Sequence, residues 1–367
     1  MTFIDGVASY TAEVRRASRV RRPPVAPPDA PAVDADRIWW WRLAAAGAVR
    51  RLPAGSVADA AHGGLQDSAP RAALLALHAR VHDVGPDGWD HPDLVQVWLR
   101  WADYVVPRRD LGVFTLGASP RDPAAGRALD ELAAAVLDAM GGAAARTGVV
   151  AERLGLAEPV LLRAVAVTGA VAIRWDARTT ELVPVTRPEI EPEDARLELS
   201  RRFLHWQGPA TVDHLARWAG VTRADAEATW AALRPELVPV AVDGRERWML
   251  SDDLDALLAA TRPTGTRLLP AGDPCLFMTG DLAHGPPKRS PDPAVGITPR
   301  LANSLTGRIV DDGVIVGAWA RAGTAVTIDP WAALPAERTE AIDRAAQALA
   351  APLGAPVDVR WLPPRRP

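Results

Sequence analysis

Cysteine is almost absent from this sequence of 367 residues: Cys275 stands alone. One thiol forms no disulfide within the chain and builds no cysteine metal cluster. Lysine is equally scarce, with Lys288 the single example, so positive charge rests on arginine. The planar guanidinium grips phosphate or carboxylate with paired bonds, which an ammonium does not. No uncharged apolar run reaches the ~18 residues of a membrane span. The nearest, PVLLRAVAVTGAVAIRW, is interrupted by Arg163. Residues 1–20 lack the apolar centre of a secretory leader. No glycine-rich loop leads into a Lys-Ser or Lys-Thr pair, which argues against a P-loop nucleotide site. These absences lead us to expect a cytoplasmic protein with no membrane partner. The net charge of −3 gives no general attraction to nucleic acid, so any contact with it requires a local patch.

What is present suits a folded protein. Hydrophobic residues make up 48% of the chain and charged residues 24%, enough for substantial cores. The length suggests roughly two to four domains. Tryptophan is abundant, 14 against 4 phenylalanines. Trp39, Trp40 and Trp41 are consecutive and cannot share one helical face. Their helix is expected to bury most of its circumference against the second module or the barrel-like C-terminal domain. Stacking on an unpaired base is the alternative use.

The segment 191–262 has the plainest architecture. EDARLELSRRFLHW carries apolar residues at helical spacing and ends at Gly208-Pro209. Thr211 suits the cap of a short helix ending at Gly220, and Thr222 the cap of a third. VPVAVD and RERWML then read as strands around Gly244. Three helices and a hairpin are the winged-helix order, a variant of helix-turn-helix. The same order recurs at 121–190 and at 36–120, which indicates tandem modules. Residues 1–35 read as a flexible Pro-rich arm that is basic at Arg15, Arg16, Arg19, Arg21 and Arg22. Residues 263–367 turn β-rich, with a hairpin at Asp312-Gly313 and a closing helix. The expected fold is therefore α+β: three tandem winged-helix modules followed by a C-terminal β-barrel-like domain.

Three stretches together resemble a known family: GGLQDSAPRAALLALHARV at 63–81, SRRFLHWQGPATVDHLARWAG at 200–220, and RLLPAGDPCLF at 267–277 followed by GVIVGAWAR at 313–321. The chain resembles the winged-helix DNA-binding proteins related to AlkZ and YcaQ, bacterial DNA glycosylases that excise alkylated purines and unhook crosslinks. The likeness runs from about residue 37 to residue 350. It implies a hydrolase acting on damaged duplex DNA as a monomer, held mainly through shape and phosphates, without metal or organic cofactor. It also implies a catalytic glutamine, one spacer, then glutamine or aspartate. Gln66 matches the first position, Ser68 replaces the second, and the acidic Asp67 sits one residue early. In RWADYVVP, Trp101 and Tyr104 stand where the family commonly has a small-residue turn and a histidine.

The implied chemistry suits such a motif. Alkylation at N7 or N3 makes a purine cationic and a good leaving group, so the enzyme need only place a water and steady the cationic sugar. An amide orients water with donors and an acceptor. Gln66 and Ser68 are expected to bracket that water, with Asp67 as a base or a partner to the sugar. Capping alone is the competing account of Asp67 and Ser68, since both suit a helix start at Ala69-Pro70. Arg71, Arg108, Arg109, Lys288 and Arg289 are the expected phosphate contacts. The helix beginning TRADAEA is acidic, which argues against sequence reading by the third module. His78 and His82 have zinc-ligand spacing, but no glutamate or second ligand pair accompanies them, so no metal is expected. The alternative function is that of a catalytically inactive relative that binds DNA or a small ligand without excision.

Overall fold

Caps and left-handed residues set the element boundaries. The computed structural model describes residues 12–14, 20–278 and 306–364, and it is a mixed α+β chain. The described residues divide into two compact units. One is built on Pro92–Leu254, with His62–Gly64 and the residues up to Ala32; the other holds Val33–Ala61, Leu65–His91 and the residues from Asp255 onward. Among the described residues no helix is long and apolar enough to cross a membrane.

In the first unit, the helix Pro123–Met140 starts at Asp122, whose side chain accepts from the amides of Ala124 and Ala125. It stops at Gly141, where φ is +66°. Its Leu129, Leu132, Val136 and Met140 are buried with Leu162, Val165, Val171, Ile173 and Leu182. The strands of this unit lie side by side in the order Ala102–Pro107, Leu94–Leu99, Val171–Trp175, Thr180–Pro184 and Ala145–Arg146. All the pairings between them are antiparallel. The third helix expected within 121–190 lies at Pro159–Thr168 and winds as a 3₁₀ helix. Its β-branched Val160, Val165 and Val167 weaken the preference for α geometry.

The helices Pro192–Gln207, Val212–Ala219 and Arg223–Leu233 follow, then the hairpin Leu237–Val242 with Arg245–Leu250. Thr211 and His214 form a reciprocal capping box, and Thr222 accepts from the amide of Asp225. Residues 20–32 run over this hairpin. The amide of Ala26 donates to the Gly244 carbonyl, Glu246 donates to Pro24, and Ala241 donates to Pro31.

Two-residue turns with both residues left-handed recur: Asp243-Gly244, Asp312-Gly313 and Arg100-Trp101. Such turns match the strand twist, and Asp-Gly is the usual sequence for them. Arg100 and Trp101 adopt φ of +49° and +62° without glycine's freedom. Arg100 Nη2 donates to the Tyr104 hydroxyl at 2.6 Å, and Trp101 packs against the core.

In the second unit, the strands run in the order Asp358–Trp361, Ala325–Pro330, Val314–Ala322, Gly307–Asp311 and Thr266–Leu269. The pairing of Ala325–Pro330 with Asp358–Trp361 is parallel and the rest are antiparallel. The barrel-like closure expected for this region is corrected: among the described residues the sheet stays open, with Thr266–Leu269 and Asp358–Trp361 at opposite edges. Burial is achieved by helices instead. Ile342 and Ala346 of the helix Ala336–Gln347 pack with Leu268, Ile309, Trp319, Val326 and Ile328, and Leu75 joins them. Trp39 is 1% exposed and its indole N–H donates to the Gly313 carbonyl at 3.0 Å, while Trp41 is also buried and Trp40 half-buried.

Asp103, on a fully buried strand of the first unit, has Arg163 Nη1 at 3.6 Å. Burial pushes its pKa up to about 6, against the smaller opposing pull of Arg163. The folded chain therefore holds this proton more tightly than the unfolded chain does. That contribution is complete below the unfolded pKa and is lost as pH rises through about 6. Asp103→Asn is expected to flatten the stability profile between pH 4 and 6 and to melt several degrees above the parent at pH 8. A melting curve for the variant that tracks the parent at both ends of this range would refute the assignment.

Candidate functional site

Gln66 lies at the start of a turn that leads into the helix Ala72–Arg80. Its Nε2 donates to Ser68 Oγ at 3.0 Å. Gln66 is half-buried and Ser68 exposed, so the pair faces outward. Having accepted from Gln66, the Ser68 hydroxyl keeps its own proton and one lone pair for water. Asp67 points the other way. It is fully buried, and its Oδ1 accepts from the amide of Ala73 at 2.9 Å. Asp67 thus satisfies an orphan donor of the helix start from inside. Arg71 holds the cap position with φ +65°, and its side chain makes no cap bond. The capping role expected jointly of Asp67 and Ser68 falls to Asp67 alone.

Behind Gln66 stands the turn Pro270–Asp273. Gly272 has φ +75°, and a Cβ there would lie 3.0 Å from Gln66 Cδ. A side chain there would be strained by the conformation and crowded against Gln66, both of which glycine avoids. The turn is anchored by a fully buried ion pair. Arg80, the last residue of the helix, donates from Nη1 to Asp273 Oδ2 at 2.7 Å and from Nη2 to Oδ1 at 2.9 Å. Its Nε donates to the Ala46 carbonyl at 2.6 Å and Nη1 also to Ala76 at 3.0 Å. Burial acts to lower the Arg80 pKa, but the pairing with Asp273 outweighs it and the net shift is upward. Burial and Asp273 together push the Cys275 thiol up.

Beside the turn, a cavity of 210 Å³ is lined by Pro70, Leu75, Ala271, Trp319, Arg321 and Gly323 among others. Arg321 reaches across it. Nη2 donates to the Pro70 carbonyl and Nη1 to Gly323, each at 2.6 Å, while Nε is buried without a partner. Burial, then the neighbouring Arg71, lower its pKa. Sequence reasoning missed Arg321, Gly272 and Arg80–Asp273. The glycine of PAGDP was the one available signal.

Arg71 stacks over Trp89, 3.7 Å from the ring centre. In the first unit, Arg108 donates to the carbonyls of Pro92 and Leu94, and Arg109 is exposed with Asp110 at 3.9 Å. Lys288 and Arg289 lie outside the described residues, as do Arg15, Arg16 and Arg19. His78 and His82 do not share a helix, which ends at Arg80. His78 Nε2 faces the donor Arg51 Nη2 at 3.2 Å and so acts as acceptor. Burial, then Arg51 and Arg267, bring its pKa down to about 4. Among the described residues, no group of three His, Cys, Asp or Glu side chains is poised to hold a metal ion.

His62, Gly63 and Gly64, just before Leu65 in sequence, belong to the first unit. A Cβ on Gly63 would lie 2.0 Å from the Trp206 ring, and one on Gly64 3.0 Å from Phe114. His62 has Asp110 at 4.0 Å. Burial, then Arg202, lower its pKa against the opposing Asp110.

The profile of the family described as DNA glycosylase AlkZ-like matches residues 59–351, and the chain belongs to that family. An interstrand DNA cross-link repair glycosylase of Streptomyces sahachiroi is 28% identical over 147 residues, which are 38% of this chain and 38% of that relative's length. The solved structure of Streptomyces sahachiroi DNA glycosylase AlkZ superposes with a TM-score of 0.69 at 20% identity, covering 90% of this chain and all of that one. The likeness to that structure is one of fold.

Removing one partner of a buried ion pair strands a charge, at roughly 3–5 kcal/mol. Arg80→Met is therefore expected to lower the denaturation midpoint sharply, while Arg80→Met with Asp273→Asn recovers most of the loss. Equal loss in single and double variants would show that the pair is not the anchor.

Proposed function

We propose that this chain hydrolyses the N-glycosidic bond of alkylated purines or crosslinked bases in duplex DNA, as a monofunctional glycosylase. Membership of the AlkZ-like DNA glycosylase family supports the class of reaction. The observation that carries the proposal for this chain is the outward-facing Gln66–Ser68 pair, joined at 3.0 Å and backed by Gly272. A shorter side chain than the family's second glutamine or aspartate still meets the glutamine amide.

On this reading the cationic base departs with little help, because its positive charge weakens the glycosidic bond. A water held by Ser68 Oγ and the Gln66 amide is aimed at the anomeric carbon as positive charge develops on the sugar. Its protons point toward the protein and a lone pair toward carbon; as the C–O bond forms and the base leaves with the C–N electron pair, the surplus proton passes to bulk water. Asp67, buried and bonded to Ala73, positions the turn and does not touch substrate. Arg71 and Arg321 supply positive charge for phosphates beside the turn. Arg108, Arg109, Lys288 and Arg289 are the further phosphate contacts of this reading. We read the fold as three tandem winged-helix modules with the β-rich domain following, and the chain as a monomer on damaged duplex DNA.

The test is release of base from duplexes carrying N7-methylguanine or a nitrogen-mustard crosslink under single-turnover conditions. Gln66→Ala is expected to lower the rate about 100-fold, the usual cost of one transition-state positioning group. Ser68→Ala is expected to lower it less, and Ser68→Gln to raise it. Salt-dependent binding without release by the parent chain would favour the non-excising relative, and absence of binding at low salt would defeat both.

A further inference from the structure

A second cavity, of 350 Å³, opens in the unit built on Pro92–Leu254. Its walls include the indoles of Trp230 and Trp248, the strap residues Arg22, Pro23 and Pro24, and Glu246. The volume falls within the range of about 300–1,000 Å³ typical of small-ligand sites.

The aromatic wall is held rigidly. The Arg234 guanidinium lies over Trp248, 3.5 Å from the ring centre. The Trp248 indole N–H donates to Glu246 Oε1 at 3.0 Å. One face and the polar edge of this ring are thus committed, while Arg234 is not among the residues that line the cavity. Planar ligands favour such surfaces, because stacking needs a flat partner already in place. The strap that closes one side is itself fixed, since the Glu246 amide donates to the Pro24 carbonyl at 2.9 Å.

The charges sort in a definite way. Asp213 also lines the cavity, but its Oδ2 accepts from Arg21 Nε at 3.1 Å and its Oδ1 from Arg223. Its charge is therefore answered within the protein. Arg22 is exposed at the lining and Glu246 keeps one carboxylate oxygen beyond its bond to Trp248. One cation and one acceptor beside two indoles complement a flat ring bearing N–H donors and an attached anion.

We propose that this cavity binds a nucleotide unit. The base stacks on the indoles, its amino group donates to Glu246, and its phosphate meets Arg22. The same chemistry is offered by a free mononucleotide and by an unpaired nucleotide of a DNA strand. Purines with an exocyclic amino group bind better than thymine, which has the smaller ring and no amino group. The cavity belongs to the first unit and Gln66 to the second.

Isothermal titration of the full chain with deoxyguanosine monophosphate, thymidine monophosphate and a short single-stranded oligonucleotide tests this. The expected result is binding of the guanine nucleotide over the thymine one. Trp230→Ala should weaken it roughly ten-fold or more. Trp230→Phe should restore part of that, and Glu246→Gln should narrow the preference for guanine. Binding of both the mononucleotide and the oligonucleotide identifies a free-nucleotide site, and binding of the oligonucleotide alone a strand site; either supports the proposal. No binding of any probe, or binding indifferent to Trp230→Ala and Glu246→Gln in variants with unchanged circular dichroism, overturns it.

Discussion

The buried pair of Arg80 and Asp273 is the constraint on which the candidate site rests. It joins the last residue of the helix Ala72–Arg80 to a turn almost two hundred positions later in the chain, with both side chains fully buried. Gln66 leans on that turn at Gly272, and Asp67 holds the opposite end of the same helix through Ala73. The glutamine is thereby fixed from two directions before any substrate arrives. The proposed positioning chemistry requires this arrangement, because an amide contributes orientation and little basicity.

Much of the architecture was legible, for reasons tied to single residues. Thr211, Gly220 and Thr222 announced the helix boundaries at which they act, because caps and left-handed stops have few acceptable side chains. Asp312-Gly313 marked its hairpin for the same reason. Gln66 was singled out through resemblance, since an amide side chain carries no signal of its own. The anchors behind it were hidden: nothing local in the sequence couples Arg80 to Asp273 or Gly272 to Gln66. Arg100-Trp101 was hidden differently, since neither residue favours the turn it adopts, and long-range packing holds it there. The closure of the C-terminal strands was misjudged because short alternating strands are equally compatible with a barrel and with an open sheet roofed by a helix.

Arginine serves this chain as a structural staple as much as a source of charge. Arg108 is tied to two carbonyls, and Arg202 is paired with Asp110 and Glu198. Arg196 bonds Glu193 and the Ser119–Pro120 backbone. The planar fork suits these multiple fixed acceptors, a task for which a lysine ammonium is poorly shaped. A count of basic residues therefore overstates the charge offered to phosphates, and the net value of −3 says little about any one face.

The solitary Cys275 has a consequence of its own. It is sealed beside Arg80 with its pKa raised by burial and Asp273. Sulfur reacts with electrophiles as a thiolate, so the native protein withholds its only sulfhydryl from alkylating agents. Thiol-directed labelling of this chain then proceeds only through opening of the surrounding knot, and its rate becomes a clock for that opening.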